Sequence, residues 1–147
     1  MILVKHILED SRRRLAVISR EASVCDAAGI LANANTPLVV VCDEEGVAVG
    51  VISRADIVRA FSIARGDAVN MNAEAIMTTP VHSCHVDQAL QSVWATMGAQ
   101  SLRCAPILDN SRRPQGVVHA RDIARALLDE ATSEEVSLRD YVLGIGY

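Results

Sequence analysis

At two positions related by a repeat in this chain a polar side chain stands three residues before an aspartate: Ser53 before Asp56, and His119 before Asp122. Serine followed at that distance by aspartate closes a helix, the hydroxyl as N-cap and the carboxylate favourable in the first turn. The same two groups are close enough to point together into one cleft, and both readings can hold at once. His82, Ser83, Cys84 and His85 supply metal-binding residue types, but on a strand they alternate faces and no second ligand pair stands at finger-like spacing. Cys25, Cys42, Cys84 and Cys104 are scattered, with no Cys-x-x-Cys and no local nucleophile motif. They read as buried free thiols of a reducing compartment. Neither a Walker loop nor a Gly-x-Gly-x-x-Gly is present, so no hydrolytic phosphate chemistry is expected.

The elements that must carry these groups are themselves repeated. Gly50-Val51-Ile52-Ser53-Arg54-Ala55-Asp56-Ile57-Val58-Arg59-Ala60 returns 66 positions on as Gly116-Val117-Val118-His119-Ala120-Arg121-Asp122-Ile123-Ala124-Arg125-Ala126, and residues 17–62 overlay 83–128 without a gap. One supersecondary unit used twice presents its surface twice, related by an approximate two-fold axis. Each unit reads β-α-β-β-α. The first has an apolar run at 15–18, a helix opened by Ser23 and Asp26, a β-branched strand at 38–42, a turn at 43–46, a strand at 47–52 and a helix at 55–64. A linker at 65–73 precedes the second: strand 81–84, helix 87–99, strand 103–108, turn 109–114, strand 115–118 and helix 121–128. Val4, Ile7 and Leu8 predict a short opening helix before Arg12, Arg13 and Arg14, which read as a solvated turn. A further polar helix is expected over 132–142, with Leu138, Tyr141 and Val142 on one side, before the tail 144–147.

Half of the 147 residues are hydrophobic but only one Trp, two Tyr and one Phe are aromatic, so the core is built from Ala, Val, Ile and Leu. Units of this size are marginal alone and should share a core. A formal net charge of −4 argues against binding to nucleic acid. The apolar runs fall far short of the roughly 20 residues that span a bilayer, and the amino terminus does not read as a signal peptide. A cytoplasmic protein without a membrane partner is the expectation.

Two β-α-β-β-α copies, each closing on Gly-apolar-apolar-(Ser/His)-x-x-Asp-apolar, resemble a tandem pair of CBS domains, the Bateman module. Ala75-Ile76-Met77-Thr78-Thr79-Pro80-Val81 is similar to the segment that opens a CBS motif, and Ala105-Pro106-Ile107-Leu108 to its second strand. Leu138-Arg139-Asp140-Tyr141-Val142 resembles the tail of stand-alone bacterial CBS proteins. The resemblance implies an α/β fold of two such motifs packed with pseudo-two-fold symmetry: 1–66 with the N-terminal helix, 67–130, and a C-terminal helix or tail at 131–147. It implies a regulatory module, not an enzyme, that binds adenosine nucleotides such as AMP, ADP, ATP or NAD(H) in clefts between the motifs. A homodimer of two pairs and a separate effector protein are expected with it. The alternative is a ligand-independent scaffold acting through its dimer or its C-terminal tail.

On the family pattern Asp56 would accept from ribose hydroxyls with Ser53 beside it, and Asp122 likewise. There His119 replaces the family's Thr or Ser, large enough to fill the cleft or to reach a phosphate. Arg121 and Arg103 would meet phosphate oxygens. The base would lie against Val17 and Ile18 with Pro37, Leu38 and Val39 in the first copy, and against Ser83 and Cys84 with Cys104, Ala105 and Pro106 in the second. Arg54, one position off the family's arginine, reads as an exposed helix residue.

Overall fold

The β-branched run Val39–Cys42 (β2) is buried along its whole length because it lies at the centre of a sheet. β1 (Val17–Ser19) pairs parallel to one edge and β3 (Ala48–Ile52) antiparallel to the other. Between β1 and β2 runs α2 (Val24–Leu31), capped by the Ser23 hydroxyl, which accepts from Asp26 N at 3.0 Å. β3 leads into α3 (Arg54–Ala64). The second copy repeats this with α5 (Leu90–Ala99), the antiparallel pair β4 (Cys104–Leu108) and β5 (Pro114–His119), and α6 (Ala120–Leu143). These elements belong to a computed structural model that describes residues 1–143.

Three expectations are corrected. The strand at 81–84 is a single bridge, Cys84 beside Ile107, in which Cys84 N donates to Pro106 O and Leu108 N to Cys84 O, both at 3.0 Å. Pro80 has no N–H to lend to a ladder, and His82 and Ser83 are exposed. The helices at 121–128 and 132–142 are one 24-residue α6, since nothing between them is a glycine or proline that would stop it. On it Leu138 and Val142 are exposed, while the Tyr141 side chain and the tail 144–147 lie outside the described residues. The linker is also structured, with a 3₁₀ turn at Arg65–Asn70 and a short α4 (Ala73–Ile76) capped by Asn72. No helix among the described residues is long and apolar enough to cross a membrane.

The opening segment is a 3₁₀ turn, Val4–Ile7, running into α1 (Leu8–Arg13). It packs on the second copy: fully buried Val4 shares a core with Leu90, Ile107, Val118 and Ile123. Leu90 N donates to Ile2 O and Val4 N to Gln88 O, both at 2.9 Å. The linker does the same for the first copy, where Val24 N donates to Met71 O (3.0 Å) and Ala73 N to Ala22 O (2.7 Å), and Ala73 joins the core of Ile18, Leu31, Val39 and Ile52. Each copy is thus completed by the segment that leads into the other.

Two glycines accept these crossings. A Cβ on Gly50 would stand 2.9 Å from the Met77 Cβ, and one on Gly116 2.9 Å from the Ser11 backbone carbonyl carbon. Between the two sheets a third core forms from Leu38, Val40, Cys42 and Ala48 of the first copy with Leu108 and Val117 of the second.

Candidate functional site

Ser53 and Asp56 form a reciprocal cap at the start of α3: Ser53 Oγ accepts from Asp56 N at 3.4 Å, and Asp56 Oδ2 from Ser53 N at 2.9 Å. The buried carboxylate does more than cap. Its Oδ2 also accepts from Ser53 Oγ at 3.2 Å, and its Oδ1 from Arg59 Nη1 at 2.9 Å and Thr78 Oγ1 at 3.0 Å. Four donors match the roughly four lone-pair sites of a carboxylate, so an arriving hydroxyl has to replace one of them. Thr78 and Arg59 were not singled out from sequence. The helical i,i+3 spacing of Arg59 from Asp56 is a readable signal. Thr78 carries none beyond its place in the 75–81 motif, because it reaches Asp56 only through the crossing of the two copies.

In front of this network lies a cleft of about 170 Å³. Leu38 and Val51 of the first copy line it with Cys104 and Pro106 of β4, and Thr78, Pro80 and His82 border it. Strand alternation sorts the remaining expected contacts. Leu38, Cys104 and Pro106 face the cleft, whereas Val39 and Ala105, one residue along, turn into the cores of their own copies, as do Ile18 and Cys84. Ser83 is exposed and borders a separate crevice of about 40 Å³ with Cys84 and Ala105. Val17 is exposed and Pro37 half-buried, and neither is among the residues lining the cleft. The structure therefore gathers Ser53, Asp56, Leu38, Cys104 and Pro106, and leaves Val17, Ile18, Pro37, Val39, Ser83, Cys84 and Ala105 apart from them.

Arg54 differs from an idle helix arginine. Its guanidinium donates to the carbonyls of Leu31 (2.8 Å), Asn33 (2.9 Å) and Thr36 (3.2 Å), satisfying the end of α2 and fixing the loop that precedes Leu38.

The second copy places the same positions differently. His119 Nδ1 accepts from Arg121 N at 3.0 Å and caps α6 as an unprotonated nitrogen. Asp122, in the first turn, forms an ion pair with Arg14, the two side chains being 11% and 19% exposed. The arginine cluster is therefore not a solvated turn throughout: Arg12 and Arg13 face solvent, while Arg14 turns inward to the carboxylate. Arg103 and Arg121 are exposed. Burial first, and then the guanidinia of Arg121, Arg14 and Arg103, hold the His119 imidazole below its ordinary pKa, with Asp122 opposing. Burial pushes the Cys104 thiol up to about 11 against the pull of Arg14, Arg121 and Arg103, and the Cys84 thiol up to about 12. Both remain protonated near neutral pH, which leaves them as packing groups rather than nucleophiles; Cys25, expected to be buried, is instead exposed on α2.

A protein-family model described as CBS domain matches residues 4–63 and 73–129. The chain is 29% identical over 133 residues to the uncharacterized 17.7 kDa protein in bps2 3'region of Acidianus ambivalens, covering 90% of this chain and 79% of that one. It is 32% identical over 103 residues to the L-aspartate semialdehyde sulfurtransferase of Methanocaldococcus jannaschii, covering 70% of this chain but only 19% of the larger protein. Among solved structures, the CBS domain pair of protein MJ0100, in complex with 5'-methylthioadenosine and S-adenosyl-L-methionine, superposes with a TM-score of 0.75 at 28% identity. That match covers 88% of this chain and 98% of the other.

Proposed function

The chain belongs to the CBS-domain family, and from that premise we propose that it is a non-catalytic regulatory module that binds an adenosine-containing ligand in the cleft between its two motifs. One observation carries the reading: Asp56, with Ser53 beside it, faces an open cleft whose walls come from both copies. Ribose hydroxyls that donate to this carboxylate take the place of Thr78 or Arg59. Displacing Thr78 loosens a tie between the copies, so binding shifts the balance between arrangements of the module and the shift is the signal. AMP, ADP, ATP and NAD(H) are candidate ligands. The adenosine thioether and sulfonium in the MJ0100 pair support the same class.

We read the module as a cytoplasmic homodimer that reports to a separate effector protein. Exposed Val58 and Ile63 on α3 and Trp94 on α5 support an interface there. Exposed Leu138 and Val142 on α6 favour a second reading, in which that helix docks a partner without any ligand.

Thermal unfolding of the purified chain against AMP, ADP, ATP, NAD, NADH, S-adenosylmethionine and 5'-methylthioadenosine tests the first reading. A ligand at about 100 times its Kd stabilises by roughly 2.7 kcal/mol, which raises the midpoint by about 2–8 °C. Asp56→Asn is expected to unfold cooperatively yet show no shift. A flat panel on ligand-stripped wild-type protein discards the sensor in favour of docking through α6.

A further inference from the structure

The surroundings of the two aspartates are not chemically equivalent, although the repeat makes them topologically so. Asp56 and Asp122 are repeat partners, and so are Pro80 and Arg14. In the first cleft Pro80 borders open space. At the second, the Arg14 guanidinium reaches Asp122, and both Arg14 Nη1 and Asp122 Oδ2 are shut off from solvent. The charge balance differs as well. The Asp56 carboxylate has Arg59 as its one ion-pair partner among the described residues, and the cleft wall of Leu38, Val51, Cys104 and Pro106 is uncharged. Around Asp122 the guanidinia of Arg14, Arg103 and Arg121 all bear on His119 and Cys104, three positive charges against one carboxylate. Arg14 also borders a polar surface cavity of about 270 Å³ with Asp10, Arg13 and Asn35.

We propose that the Arg14–Asp122 pair is a latch that closes the second cleft, and that this cleft admits a phosphate-bearing nucleoside, whose phosphate draws the Arg14 guanidinium off Asp122, while excluding the uncharged nucleoside. The inference rests on the adenosine-ligand reading given above and assigns different ligand classes to the two sites. The physics is one of replacement. Pulling Arg14 away leaves a poorly hydrated carboxylate and guanidinium unpaired, a large penalty unless something re-pairs them. A phosphate offers the planar fork two oxygens and more charge than the carboxylate it replaces, and ribose hydroxyls can then donate to the freed Asp122. A bare nucleoside satisfies Asp122 but strands Arg14. In the first cleft no such pair has to open, so an uncharged nucleoside enters there.

The latch is also joined to the first copy. Arg14 lies three residues before Val17, and Ala16 O accepts from Val40 N at 2.9 Å. Withdrawal of Arg14 from Asp122 therefore acts on β1 and on β2, next to Leu38 of the first cleft.

Isothermal titration of the full chain with adenosine and with AMP decides the matter. Wild type is expected to take one adenosine and two AMP per chain. Arg14→Gln, with the latch removed, is expected to take two adenosine, and its second AMP site to lose at least 10-fold of its preference over adenosine. Two adenosine on wild type, or one of each ligand on wild type and on Arg14→Gln alike, overturns the latch while leaving the sensor standing. No binding of either ligand to wild type overturns both. Should Arg14→Gln fail to fold, the wild-type counts alone separate these outcomes.

Discussion

Positions 53 and 119 do one backbone task with two chemistries. A hydroxyl accepts from Asp56 N in the first copy, and an imidazole nitrogen accepts from Arg121 N in the second. Only the second is sensitive to pH in the physiological range, because protonating His119 Nδ1 converts the cap's acceptor into a donor. The folded chain holds that imidazole below its ordinary pKa, so the unfolded chain binds the proton more readily. The contribution of His119 to stability is therefore complete above the unfolded value of about 6.5 and is lost as pH falls through the lower folded value. Urea midpoints measured between about pH 7.5 and 5 should fall more steeply for wild type than for His119→Ser, and parallel profiles would remove the imidazole from the cap. At this scale the Ser53–Asp56 pair was legible because its two members are three residues apart. Arg14 and Asp122 were not, since their contact joins opposite ends of the chain and neither residue type at its own position announces the other.

Crossing segments leave a mark on the elements they cross. At Gly116 the close neighbour is the Ser11 backbone and Cβ, fixed in α1, and at Gly50 it is the Met77 side chain from its sulfur down to its Cβ. Gly116→Ala is accordingly expected to destabilise by about 1–3 kcal/mol, the usual range for overpacking. Gly50→Ala should also destabilise, because the Met77 sulfur and Cγ can swing aside but its Cβ, 2.9 Å away, is fixed to the backbone. Chemical denaturation checks both variants, and a neutral Gly116→Ala would mean that α1 does not press on β5. The repeated strands and helices could be read before the structure because Gly50, Asp56, Ile57, Arg59 and Ala60 return in kind. The strand expected at 81–84 is reduced to one bridge, because Val81 is its one β-branched residue and His82 and Ser83 face solvent. The break expected between 128 and 132 is absent, because no glycine or proline stands there to stop α6.

At the scale of the molecule the pseudo-two-fold was legible from the gapless register, whereas the exchange of lead-in segments was not, because sequence adjacency places residues 1–13 beside the first copy. Val4 tests which copy owns them. Val4→Ala should cost about 2 kcal/mol, in the lower part of the range for emptying a buried site. Hydrogen exchange should quicken in α5 and β5 more than in α2. Loss of protection confined to β1 and α2 would refute the exchange. The same exchange governs the chain as it is made. Val4 is synthesised well before Ile123, with which it shares a core, and the first copy's core lacks Ala73 until the linker has emerged. The first copy can close once its linker is made, whereas the turn that carries Val4 stays uncommitted until nearly the whole second copy is available to receive it.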